Sequence, residues 1–98
     1  MSYRVTIPNH IQRRIARWEL PDFLIVEIHL RLRDELGCNP QHHLHSLAGS
    51  YQGMEYRFSL IDPMNRLCEH ICTFWIVYSQ DEESLIVMNF VYERRVGN

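Results

Sequence analysis

The sequence predicts an α+β fold: an N-terminal strand, a helical hairpin, then a three-stranded antiparallel meander. Three observations carry this. Apolar residues recur at helical spacing only between residues 9 and 36. Alternating or continuous β-branched and aromatic runs lie before and after that stretch. Pro8, Pro21 and Gly37 punctuate the boundaries. With 98 residues there is material for one domain and too little for two ordinary ones, so residues 1–98 are expected to form one unit.

Each element follows from its local pattern. Tyr3, Val5 and Ile7 alternate with Arg4 and Thr6, the period of a half-buried strand, and Pro8 stops it. Asn9 is expected to cap the first helix, with Gln12 three residues on completing a capping box. Ile11, Ile15 and Trp18 then form one helical stripe, leaving Arg13, Arg14 and Arg17 facing solvent or a partner. Pro21 suits a first helical turn, and Asp22 beside it suits the positive end of the helix dipole. The second helix is expected over residues 21–36, burying Leu24, Ile25, Ile28, Leu32 and Leu36, with Glu27 and Arg31 paired one turn apart. Gly37 falls where a left-handed C-cap belongs. Residues 38–54, with Pro40, His42, His43, His45, Gly49 and Gly53, break the periodicity and read as a long loop. Strands resume over residues 54–60, 71–79 and 85–92, joined by a turn at Asp62, Pro63 and Asn65 and by the acidic stretch 80–84. Both faces of the last two strands are apolar, so one helical layer leaves hydrophobic surface for another protein segment or a second copy of the chain.

Composition excludes several classes. Hydrophobic residues make up 46% and charged residues 22%, a globular balance rather than a disordered one. The longest apolar runs, 23–26, 74–78 and 85–88, are far shorter than a membrane span. No tripartite leader follows Met1, and three cysteines do not make a disulfide framework, which points to a reducing, cytoplasmic setting. The net charge of −2 is segregated. Residues 1–33 carry six arginines against three acids, whereas residues 34–98 carry four arginines against nine acids, and there is no lysine. A basic front end invites an acidic partner, protein or nucleic acid.

Few residues group into recognisable chemistry. Cys68, His70 and Cys72 alternate along one strand face and, with Cys38 or a loop histidine, would number four zinc ligands. Their spacing lacks the paired knuckles of a structural zinc site, so two apolar thiols and a satisfied histidine are expected, and no metal or other cofactor. Histidine as a residue type titrates near neutrality, so the loop histidines are candidate acids or bases. Phosphate-binding glycine loops and nucleophile elbows are absent. A more specific set is Arg57 on the second strand with Tyr92, Arg94 and Arg95 on the last. Arginine forks onto phosphate oxygens and offsets charge in a phosphoryl transition state, and a tyrosine or histidine would have to move the proton.

The element order, together with residues 56–59 (Tyr-Arg-Phe-Ser), 74–78 (Phe-Trp-Ile-Val-Tyr) and 91–95 (Val-Tyr-Glu-Arg-Arg), resembles the RelE/ParE toxin superfamily of bacterial toxin–antitoxin systems along essentially the whole chain. The resemblance implies a toxin paired with a cognate antitoxin, cutting messenger RNA on the ribosome without metal. It implies catalytic roles for Arg57, Tyr92 and Arg94, and RNA or partner contacts for Arg13, Arg14, Arg17 and Arg95. Ser59 stands where RelE-like members carry a second cation, Thr73 or Phe74 where strand three commonly offers an arginine, and Tyr92 precedes the position of their C-terminal tyrosine. ParE-like members use the same fold to poison DNA gyrase without that catalytic set. A gyrase-directed toxin, or a member that only binds its antitoxin, is therefore the alternative.

Overall fold

A computed structural model describes residues 3–38, 45–46, 53–79 and 84–97. The chain is α+β, with two helices packed on a mixed sheet. Strand β1 is Arg4–Thr6, helix α1 Asn9–Arg17, helix α2 Asp22–Leu30 continued by a π-helical turn at Arg31–Leu36, then β2 His45–Ser46, β3 Gly53–Asp62, β4 Asn65–Ser79 and β5 Ser84–Val96. The sheet order is β1-β5-β4-β3-β2. Strand β1 lies parallel to β5, so the first and last strands are neighbours; β4 runs antiparallel to both β3 and β5. The sheet therefore extends beyond a meander, because the N-terminal strand joins it and His45–Ser46 adds a short pairing against Met54 and Glu55.

The helix boundaries depart from the sequence reading in three places. Pro8 takes the α1 cap position and Asn9 is already helical; the side-chain bond there runs from Gln12 Nε2 to the Ile7 carbonyl at 2.8 Å. Trp18 leaves the apolar stripe and stays 46% exposed, while Ile11 and Ile15 are buried. Gly37 has φ −64°, a right-handed conformation rather than the expected left-handed cap. Its need for glycine is steric: a Cβ would lie 2.4 Å from the Arg33 carbonyl oxygen, and its own carbonyl accepts the Tyr3 N–H at 2.6 Å. The left-handed residue is instead Glu19, φ 52°, in the turn between the helices.

The π turn has a reason in the sequence. Leu24, Ile28, Leu32 and Leu36 recur every four residues, and each step overshoots a 3.6-residue turn by about 40°. Widening the last turn keeps Leu32 and Leu36 in line with the first two, and all four are buried. Arg31 secures this turn through Glu27 at 2.9 Å, Glu35 at 3.7 Å and the face of Phe58, 4.8 Å from its ring centre.

The core lies between the helices and one sheet face, with Tyr56, Phe58, Cys72, Phe74, Ile76, Leu85, Val87 and Phe90 meeting the leucines and isoleucines of α1 and α2. The other face carries exposed Val77, Ile86 and Val91, as the apolar runs predict, while exposed Met88 lies beside helix α1. One irregularity organises the far end of the sheet. Trp75 faces Asn89, but Ile76 faces Val87, so Met88 is bulged out. The side-chain parity of β5 switches there: Leu85 and Val87 point to the helices before the bulge, and Phe90 with Tyr92 after it.

Candidate functional site

The bulge and the β3–β4 turn together build a polar cluster at the open end of the core. Asp62 closes β3, and its Oδ1 accepts the Met64 N–H at 2.8 Å, the turn chemistry expected of it. Its Oδ2 lies 2.8 Å from Nε2 of His70, and Nδ1 of His70 lies 2.6 Å from the Tyr92 hydroxyl. His70 is 2% exposed, so its two ring nitrogens are satisfied by these two partners. In the neutral imidazole the carboxylate, which can only accept, holds the proton on Nε2 and leaves Nδ1 to accept from the Tyr92 O–H. Arg94, opposite His70 in the register, donates Nε–H to the Cys68 sulfur at 3.3 Å.

The cluster opens into a cavity of about 270 Å³. One wall is the helix turn Trp18, Glu19, Leu20 and Pro21; the other is Asp62, His70, Tyr92 and Arg94. Trp18 packs edge-on to Tyr92 with ring centres 5.7 Å apart, and Phe23 edge-on to His70 at 5.5 Å. Electrostatics follow from this packing. The His70 hydrogen bond, helped by the Met64 N–H, holds the Asp62 carboxyl below the usual carboxylate range. Burial, with Cys68 nearby, pushes the Tyr92 phenol up, so Tyr92 is a neutral hydroxyl at physiological pH. The hydrogen bond to Cys68 raises Arg94 further, a permanent cation at the mouth.

Tyr92 and Arg94 thus meet at one pocket. Arg57 does not join them. It pairs with Thr73, whose β5 partner is Val91, one residue out of step with the Phe58–Cys72–Tyr92 row, and strand alternation sends it to the helix-free face. There it lines a groove of about 590 Å³ with Glu55, Ser59, Glu69, Ile71 and Arg95. Arg95 also pairs with Glu93 at 3.6 Å. Arg13, Arg14 and Arg17 line a third groove, of about 510 Å³, along α1 beside Asn89, to which Arg14 donates a hydrogen bond.

Sequence reasoning does not single out Asp62 and His70 as a functional pair. Asp62 reads as turn chemistry and His70 as a satisfied core histidine, and both readings hold locally. The signal that joins them is positional: a turn aspartate and a strand histidine two steps up the facing strand are diagonal neighbours on one sheet face. Of the loop histidines, His42 and His43 lie outside the described residues, and His45 lies in β2. Cys38 is exposed, while Cys68 and Cys72 are buried free thiols. Burial pushes Cys72 up to about 12, so it stays protonated. Among the described residues no helix is long and apolar enough to cross a membrane. Comparison with protein-family models, with curated proteins and with solved structures returns no match to this chain.

Proposed function

We propose that this chain is the toxin of a toxin–antitoxin pair and a metal-independent endoribonuclease, with Asp62, His70, Tyr92 and Arg94 as its catalytic cluster. The observation that carries the reading is the continuous hydrogen-bonded line from Asp62 through His70 to the Tyr92 hydroxyl, with Arg94 beside it in the same cavity. The element order of strand, helical hairpin and antiparallel strands supports it, as does the basic edge of α1 ending at Trp18 on the cavity wall.

In this reading a ribose 2′-hydroxyl attacks the adjacent phosphorus. Its proton passes to the Tyr92 oxygen as the Tyr92 proton moves to Nδ1 of His70, and Asp62 stabilises the imidazolium that results. Arg94 offsets the charge gathering on the phosphate oxygens. The 5′ oxygen leaves and takes a proton from solvent, giving a 2′,3′-cyclic phosphate. The protein needs no redox or Lewis-acid partner for this step. Arg13, Arg14 and Arg17 carry the RNA backbone, and Arg57 with Arg95 and the apolar residues around them forms the face for the cognate antitoxin.

Inducible expression with readouts of global translation and RNA integrity tests the reading. Growth arrest with RNA cut to cyclic-phosphate ends, by purified protein in excess chelator as well, is the expected result. Arrest with intact RNA and inhibited DNA gyrase would replace it with the gyrase-directed alternative. The exposed Val77, Ile86 and Val91 on the helix-free face favour a protein partner under either outcome.

A further inference from the structure

The hairpin that holds the proton relay also gathers a set of metal-binding atoms. The Cys68 sulfur, fully buried, lies 3.9 Å from Nε2 of His70, and Asp62 Oδ2 lies 2.8 Å from the same nitrogen. One sulfur, one imidazole nitrogen and one carboxylate oxygen thus stand within 4.8 Å of one another. A tetrahedral zinc ion holds sulfur at about 2.3 Å and nitrogen or oxygen at about 2.0–2.2 Å. Its ligand atoms therefore sit about 3–4 Å apart, a spacing that small side-chain shifts reach from here. The soft–borderline–hard donor mixture suits zinc and disfavours magnesium or calcium, which demand oxygen. Arg94 holds the sulfur now, but it is exposed and can turn its guanidinium into solvent.

We propose that Asp62, Cys68 and His70 form a binding site for a divalent cation of the zinc class, and that its occupancy switches the relay off. On binding, the Cys68 thiol releases its proton to solvent as the sulfur–metal bond forms. The Nε2 lone pair takes the metal, so the imidazole proton moves to Nδ1, and Nδ1–H now donates to the Tyr92 oxygen. That reverses the hydrogen bond on which the relay depends, and His70 can no longer receive the Tyr92 proton. The cysteine spacing in the sequence does not reveal this site, because its third ligand comes from the turn of the paired strand. The switch rests on the ribonuclease reading; the cation site does not.

Zinc chloride titrated into the full chain by calorimetry, in two buffers of different protonation enthalpy, tests both parts. One ion per chain with proton release is expected. Asp62→Asn and Cys68→Ser should each weaken binding at least tenfold, with Asp62→Asn, at a partly exposed turn, as the variant that keeps the fold. Arg94→Ala should bind more tightly, because it removes a cation and a competitor for the sulfur. Cys38→Ser, Cys72→Ser and the pair His42→Ala and His43→Ala should bind as the parent does. Absence of stoichiometric binding, full binding in Asp62→Asn, or loss of binding with Cys38 or the two loop histidines would overturn the site. Unchanged RNA cleavage with zinc bound would overturn the switch. A chain that binds zinc through Asp62 and Cys68 yet cuts no RNA would keep the site and remove the ribonuclease reading instead.

Discussion

At the scale of single residues, the proposed chemistry rests on one buried imidazole with a different partner on each nitrogen. Asp62 sets the tautomer, and the tautomer decides that Tyr92 donates rather than accepts. Tyr92→Phe removes the hydroxyl while keeping the ring against Trp18. RNA cleavage by this variant should fall by a hundredfold or more, about 2.7–4 kcal/mol of transition-state stabilisation. The melting midpoint should drop as well, because Nδ1 of buried His70 loses its partner at a cost of about 1–3 kcal/mol. Arg94→Ala should reduce cleavage by a similar factor. Arg57→Ala, on the opposite face of the sheet, should leave the single-turnover cleavage rate within about twofold of the parent. An equal fall from Arg57→Ala would move the reacting phosphate to the other groove. The Asp62 carboxyl and the Cys68 thiol join the cluster only through their neighbours in space, since a turn and the opening of the next strand separate Asp62 from His70 in the sequence.

Two elements carry stability with legible causes. The junction of the π turn and β1 is closed by Gly37, where a side chain has no room beside the Arg33 carbonyl. The backbone itself blocks the space, so a flexible neighbour cannot give way. Gly37→Ala should destabilise the fold by about 1–3 kcal/mol, read as a lowered urea midpoint, even though alanine usually favours helix. Across the same packing, Tyr56 is buried beside Glu35, and its phenol is pushed up to about 12 by burial and then by that carboxylate. A folded value above the unfolded value near 10 means the neutral phenol favours the native state. This contribution is fully present below about pH 10 and is lost as pH rises toward 12. Stability measured by denaturant should therefore decline over that window, and Tyr56→Phe should flatten the decline.

Over the whole molecule, charge and topology divide the surface into three regions. Helix α1 presents Arg13, Arg14 and Arg17 along a groove that runs toward Trp18, the cavity wall. If RNA follows this edge, Arg13→Ala with Arg14→Ala should raise KM with kcat preserved. The slope of log affinity against log salt should fall by about 0.7 for each phosphate no longer neutralised. An unchanged slope would leave α1 without a role in RNA binding. The helix-free face, by contrast, mixes Arg57 and Arg95 with Glu55, Glu69 and exposed apolar residues, a balance suited to a protein rather than a polyanion.

The α+β class, the two helices with their buried Leu24, Ile28, Leu32 and Leu36, the Asp62–Asn65 turn and the long apolar strands were all readable from the chain by itself. Each depends on periodicity or turn chemistry within a dozen residues, and such signals are local. Tertiary structure decided the rest. It paired β1 beside β5, a contact between residues about eighty positions apart that no local pattern encodes. It bulged Met88, and because the run 85–88 is apolar at every position, no alternation marked where β5 would change face. That one extra residue aligns Tyr92 and Arg94 with the helix-side row begun by Leu85 and Val87, beside His70; the regular pairing of β3 from Gly53 to Ile61 leaves Arg57 on the other side. Residue types announced which groups could do chemistry, but strand parity, set by pairing and a bulge, determined which of them share a pocket.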